Sequence, residues 1–333
     1  MSSAGCDHVL YVDDRAPHAE LHLTLECGRA GAATRHDVDE DHCAAALDGW
    51  LRANPGRTVA ELLVTTSRVH HGSLGPVVDV LANHRPEILH LGLGALTFPS
   101  FDRGDYIPTD LSRDGSSWNL SVPLRRVLEA LPSLHELVVQ CNDINLVHDI
   151  FSSTPPPPFP EMTRLRWLAL RDTALSPAVV SALGASSFPQ LESLELWLGR
   201  FGYSWGGSAR DLIPLLNGTG FGNLRHLTLV SDLEDALVDV LAESELIARL
   251  ETLRLPFGIL GASGALRLRD RWSAFSNLRR FDVTGNAMTA AAARALRETA
   301  PDVVSLGDQR IRVDEEPYFA PPLVGLFDSW RGR

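Results

Sequence analysis

The pattern L-x-x-L-x-L recurs along this chain at a spacing roughly in the high twenties, and nothing else limits the fold as tightly. Val59, Leu62 and Val64 form a first, imperfect copy. Ile88, Leu91 and Leu93 form the second. "LHELVVQCNDI" fills the whole frame L-x-x-L-x-L-x-x-N-x-L with Leu134, Leu137, Val139, Asn142 and Ile144. Leu165, Leu168, Leu170, Thr173 and Leu175 repeat it, then Leu191, Leu194, Leu196, Gly199 and Phe201. The series continues with Leu224, Leu227 and Leu229, and with Leu250, Leu253, Leu255 and Leu260. It reaches Leu278, Phe281, Val283, Asn286 and Met288, and a degenerate last copy starts at Val303. Eight recurrences of one frame are not chance.

The spacing leaves room for a helix after each strand, and helical signals fill it. "SPAVVSALGA" opens with Ser176 as N-cap and Pro177 at the first helical position. "EDALVDVLAESELI" and "TAAAARALRETA" read likewise, with Thr289 capping the second. No unit of this kind can bury its apolar face alone, so the units must stack. The expected fold is α/β: a leucine-rich-repeat solenoid with a curved parallel sheet inside, helices outside, and N- and C-terminal caps. Residues 1–57 are expected to be a capping module, with "AELHLTLE" as a strand and "VDEDHCAAALDGWL" as a helix with an acidic first turn. Residues 58–306 are the solenoid. Residues 307–333, rich in proline and aromatics without a period, are a second cap or a tail.

The segments "LESLELWLG", "DLIPLLNG" and "LRHLTLVSDLEDALVDVLAES" narrow this further. Over roughly residues 88–310 the chain resembles a group of free-standing bacterial leucine-rich-repeat proteins, with strand–helix units like those of ribonuclease inhibitor. The resemblance implies a cytoplasmic repeat protein without an attached catalytic domain. The loop after "ELWLG" departs from the Gly-rich, acidic loop of that group and reads "RFGYSWGG".

The frame also sorts side chains by face. Places four and six go to the core, so places three, five and seven face the inner surface. The rows begin with Glu61, Leu63 and Thr65, then His90, Gly92 and Gly94, then Glu136, Val138 and Gln140. They continue with Trp167, Ala169 and Arg171, then Ser193, Glu195 and Trp197, then His226, Thr228 and Val230. Thr252, Arg254 and Pro256 precede Arg280, Asp282 and Thr284. Trp and Arg are the residue types most enriched at binding hot spots. A partner-binding face is therefore expected at Trp167, Arg171, Glu195, Trp197, His226, Arg254, Arg280 and Asp282. The other possibility is that the indoles lie flat over small neighbours such as Ala169. Two aromatic insertions, residues 98–121 and 200–210, should emerge on one rim and add Tyr203 and Trp205. "STPPPPFP" reads as a stiff spacer.

Catalytic alternatives are weaker. Gly202-Tyr203-Ser204-Trp205-Gly206 spells G-x-S-x-G, the nucleophile elbow of hydrolases. The elbow needs a helix immediately after the strand, whereas here the helix is expected only near Ala209. His226 is the sole histidine downstream. Ser193, Glu195 and His226 are neighbours in the frame and read as ordinary polar surface. "RHDVDEDHC" contains His36, Asp37, Asp39, Asp41, His42 and Cys43, which fit a solvated helix start better than a tetrahedral metal site. No lysine occurs among the 30 basic residues, which excludes a Walker A loop, a protein-kinase strand lysine and Schiff-base chemistry. A net charge of −12 disfavours nucleic acid. No apolar run is long enough to span a membrane, and no signal-like segment opens the chain. Cys6, Cys27, Cys43 and Cys141 contain no C-x-x-C pair and read as buried or free thiols.

These features point to a cytoplasmic, non-catalytic scaffold that binds a protein or peptide, without metal or cofactor. The alternative is an accessory, substrate-presenting or inhibitory subunit of an enzyme. A serine hydrolase at Ser204 is the remote third.

Overall fold

The computed structural model describes residues 9–13, 22–27, 40–66, 71–94, 119–141, 143–145, 155–172, 174–199, 205–231, 233, 235–307 and 309, with the backbone alone at 9–13, 22–27, 40–42, 65–66, 71–72 and 119. In chain order the elements are β1 (Val9–Asp13), β2 (His22–Cys27), α1 (Glu40–Ala53), β3 (Val59–Thr66), β4 (His71–Ser73), α2 (Gly75–His84), β5 (Ile88–Gly94) and β6 (Asn119–Pro123). Next come α3 (Leu124–Ala130), β7 (Glu136–Gln140), β8 (Asp143–Asn145), β9 (Trp167–Arg171), α4 (Pro177–Gly184) and β10 (Ser193–Trp197). The last are α5 (Ile213–Leu216), β11 (His226–Val230), α6 (Ala236–Ala242), β12 (Thr252–Arg254), α7 (Ala262–Asp270), β13 (Arg280–Asp282), α8 (Ala290–Thr299) and β14 (Val304–Ser305).

The fourth-place apolar residues fix the register. Leu62, Leu91, Leu137, Leu168, Leu194, Leu227, Leu253 and Phe281 pair in one line across successive strands. All are fully buried. Burying each contributes about 1.5–3 kcal/mol, and a one-residue slip would turn the whole line to the other face. The result is a mixed α/β architecture built on a long sheet, in the order β1-β2-β3-β5-β7-β9-β10-β11-β12-β13-β14. Every neighbouring pair is parallel except β1–β2. The strand leucines and the buried faces of the helices form one continuous core.

Local chemistry explains the helix limits. Ser176 Oγ accepts from Ala178 N at 3.2 Å and starts α4. Thr289 Oγ1 does the same for Ala292 N at 3.3 Å at the head of α8. The helix expected over "EDALVDVLAESELI" is broken. α6 stops at Ala242, because Ser244 Oγ accepts from Leu246 N at 3.1 Å and Ile247 N at 3.3 Å and offers the backbone a turn instead. A short 3₁₀ turn, Ile247–Arg249, follows.

Asn286 shows what the ninth place does. Its fully buried amide donates to the carbonyls of Leu255 and Val283 at 2.7 and 2.9 Å, and accepts from Leu260 N at 3.1 Å. It satisfies backbone groups where the chain leaves the sheet.

Two features were not foreseen. β1 adds an antiparallel edge strand beside β2. β4, β6 and β8 form a second, three-stranded parallel sheet just past the turns of the early repeats. The expectation of four cysteine thiols is also corrected, because Cys43 is disulfide-bonded. Its C-x-x-C-free surroundings gave no sign of this, since a disulfide can join residues far apart in sequence. Cys141 is free and buried. Burial raises its thiol pKa well above the usual range, with the nearby Asp172 carboxylate adding to the effect.

Candidate functional site

The register places the expected inner-face residues in rows. The third-place row runs His90, Glu136, Trp167, Ser193, His226, Thr252, Arg280. The fifth-place row runs Val138, Ala169, Glu195, Thr228, Arg254, Asp282. Gln140, Arg171 and Trp197 align in the seventh.

At the centre sits a buried polar cluster. Arg171 Nε donates to Glu195 Oε1 at 2.8 Å and its Nη2 to Oε2 at 3.4 Å. Trp197 Nε1 donates to the same Oε1 at 2.8 Å, and the Arg171 guanidinium lies 5.7 Å from the Trp197 ring centroid. Arg171 Nη1 reaches Gln140 Oε1 at 3.5 Å. Arg171 and Glu195 are each 1% exposed and Trp197 6%. Trp197 is therefore not the exposed indole that the frame suggested. The carboxylate beside it accepts from both the guanidinium and the indole N–H, so the three bury together.

The other expected residues divide by exposure. Trp167 is half-buried, and His226 and Arg280 are exposed. Arg254 Nε donates to Asp282 Oδ2 at 3.3 Å, with Arg254 half-buried and Asp282 buried. Trp205 is 5% exposed and belongs to the core, not to a rim. Its Nε1 donates to the Leu175 carbonyl at 2.7 Å, which ties the segment back to the preceding repeat. Tyr203, Ser204 and most of the loop 98–121 lie outside the described residues, as does the tail beyond Gln309. So do His36, Asp37 and Asp39 and the side chains of Asp41 and His42.

Toward the β5 end lies a cluster the sequence reading did not single out. His90 Nδ1 stands 3.2 Å from Glu136 Oε2, and the His90 and His135 rings meet edge-on at 6.3 Å. His135 has its pKa lowered, first by partial burial and then by His90, Arg166 and Arg164. "LHELVV" carried the signal, since it places His135 and Glu136 at the start of a repeat strand.

The arrangement offers ionic and apolar contact. Glu195 is engaged by Arg171 and Trp197, so Ser193, Glu195 and His226 do not form a hydrogen-bonded trio. β10 ends at Trp197, and among the described residues Trp205–Ser208 are not helical and the next helical residue is Ala209, where a 3₁₀ turn begins behind a Ser208–Asp211 capping box. That is not the direct strand-to-helix turn of a nucleophile elbow. Among the described residues no group of three His, Cys, Asp or Glu side chains is placed to hold a metal ion, and no helix is long and apolar enough to cross a membrane.

Neither a protein-family model nor a curated protein matches the chain. Among solved structures it is similar to a protein from Bacteroides fragilis, with a TM-score of 0.60 and 20% identity over 84% of this chain and 75% of that one. A complex of TLR13 with a single-stranded RNA aligns with a TM-score of 0.36 and 17% identity, over 84% of this chain and 35% of that one. The first likeness concerns the fold alone.

Proposed function

We propose that the chain is a capped leucine-rich-repeat solenoid that binds a protein or peptide on the inner face of its sheet, without catalysis. The observation that carries this reading is the third-place row. Trp167, Ser193, His226, Thr252 and Arg280 keep exposed or half-exposed side chains on successive strands. The Arg171–Glu195–Trp197 cluster, farther along the same strands, is buried and joined by its own hydrogen bonds. It supports the row by holding the strands' side chains in one arrangement. The binding contribution expected of Arg171, Glu195, Trp197 and Asp282 is therefore positional, and Trp167, His226 and Arg280 make the contact. Tyr203 remains a proposed contact on the adjoining loop. The cytoplasm is the proposed location, on the resemblance to free-standing repeat proteins. Against it stands the Cys43 disulfide, a bond type that persists mainly in oxidising compartments.

The test is site-directed photo-crosslinking in native extract. A benzophenone amino acid at position 226 should trap a partner. The same probe at Leu266, an exposed residue of the helical layer, should not. Trapping from position 266 alone would move the site to the other face.

A further inference from the structure

The run "PPPPFP", residues 155–160, stands between β8 and β9 and belongs to neither strand nor helix. Pro155, Pro156, Pro157 and Phe159 each precede a proline. A proline ring fixes φ at about −65°, and the residue before a proline is driven from the helical region toward extended backbone. Sterics therefore set this stretch as a polyproline II helix, a three-sided rod with three residues per turn. Burial follows the same period. Pro156 is half-buried and Phe159 is buried, so one edge of the rod faces the protein. Pro155 and Pro158 are both exposed on a second edge. On the third, Pro157 is exposed and Pro160 half-buried.

The rod is fastened from two sides. Arg125 of α3 donates from Nη2 to the Pro157 carbonyl at 2.5 Å and from Nη1 to the Pro158 carbonyl at 2.9 Å. Its guanidinium lies 5.1 Å from the Phe159 ring centroid. From the other side, Phe159 N donates to Ser186 Oγ at 2.7 Å, and that hydroxyl donates to the Ala182 carbonyl of α4 at 2.5 Å. The segment thus lies in the helical layer between α3 and the end of α4, away from the inner face that carries Trp167 and His226. Its inward edge is engaged, and its outward edges present proline rings to solvent.

The chemistry of those edges selects a partner. Proline rings are rigid and carry no N–H, so contact with them costs little conformational freedom and asks for apolar surface. Aromatic-lined grooves take polyproline II ligands in the pattern P-x-x-P. Pro155 and Pro158 are such a pair, about 9.3 Å apart along the rod. A groove receives two edges of a three-sided rod and leaves the third outside. Here the third edge is the one the protein already covers, so the ridge can be seated without leaving its place. Arg125 sets a cation beside it, and among the described residues Arg125 forms no ion pair.

We infer that Pro155–Pro158 is a docking ridge for a protein module with an aromatic-lined groove flanked by carboxylates. It is a second interaction surface, independent of the inner-face reading.

The experiment titrates the full chain with purified SH3 domains that take P-x-x-P ligands in either orientation, followed by calorimetry. At least one domain should bind. Pro155→Ala together with Pro158→Ala should weaken that binding by about tenfold or more, while Pro156→Ala, on the inward edge, should change it by less than about threefold. Both outward rings are exposed, so urea unfolding should find the double variant as stable as the parent. A free peptide of residues 152–161 should bind more weakly than the full chain, because the Arg125 clamp holds the ridge ready formed. The inference is overturned if no domain binds, or if the double variant binds as the parent does. It is overturned equally if the peptide binds and the folded chain does not. Trp167→Ala should leave this binding unchanged. A loss there would put the domain on the inner face instead, so the two surfaces stand or fall separately.

Discussion

Arg171 and Glu195 form a buried ion pair across the β9–β10 boundary, with Nε donating to Oε1 at 2.8 Å and side-chain exposures of 1% and 2%. Such a pair is weak evidence of stability as a pair, but strong evidence of what its loss would do. Glu195→Ala strands a buried guanidinium and removes the acceptor of Trp197 Nε1 as well. The expected loss is about 3–5 kcal/mol in urea unfolding. Replacing both residues together with apolar ones of similar volume should recover most of it. If Glu195→Ala costs less than about 1 kcal/mol, the pair is open to water and the account of the cluster is wrong.

The backbone frame was legible in the sequence for a physical reason. A parallel strand that must bury Leu168 and Leu170 toward helices leaves Trp167, Ala169 and Arg171 no choice of face. The register followed residue by residue. The use of that face was less legible. Arg171, Glu195 and Trp197 could be placed on adjacent strands, but nothing in their spacing said that they would turn toward one another and bury themselves. Trp205 was misread because its position depends on the loop's path back to Leu175, which no periodicity encodes. β4 and β8, at three residues each, are too short to alternate, and β6 lies outside the repeat frame, so no pattern announced the second sheet. The cluster at His90 and His135 needed two strands side by side to be seen.

Gly94 ends β5 with φ +114°, and a Cβ there would sit 1.9 Å from the Gln140 carbonyl oxygen. That oxygen is backbone in a buried parallel ladder and has nowhere to go. Gly94→Ala should therefore be among the most damaging single methyls in the chain, costing more than about 3 kcal/mol. Gly206→Ala, where nothing lies within 4 Å of the added carbon, is the matched control and should be within about 0.5 kcal/mol of the parent. Equal denaturation midpoints for the two variants would refute the close approach of β5 to β7.

His135 links stability to pH. Its pKa is lowered by partial burial first, then by His90, Arg166 and Arg164, with Glu136 opposing. A lowered value means that the unfolded chain binds the proton more readily than the folded one. The contribution to stability is then complete above the ordinary histidine value, about 6.5, and declines as pH falls from there toward the folded value. An NMR titration should find His135 below an unperturbed histidine, and Arg166→Ala should move it upward. A His135 that titrates at or above the ordinary value would contradict the geometry. So would one that ignores Arg166.

Trp167 and Trp205 should part company under mutation. Trp205 fills the core and its Nε1 donates to the Leu175 carbonyl at 2.7 Å. Trp205→Ala removes the ring and leaves that carbonyl short of a donor, so a loss of about 3–5 kcal/mol is expected. Trp205→Phe keeps most of the apolar contact and should lose about 1–2 kcal/mol, the cost of the missing donor. Trp167 is half-buried on the open row, and its truncation should change unfolding by less than about 1 kcal/mol while weakening partner binding. Urea unfolding monitored by far-UV circular dichroism measures the first effect without relying on indole fluorescence, and crosslinking from position 226 measures the second. If the two alanine variants prove equally mild in unfolding, Trp205 is not a core residue. If Trp167→Ala unfolds the chain as readily as Trp205→Ala does, Trp167 is part of the packing and not part of a binding face.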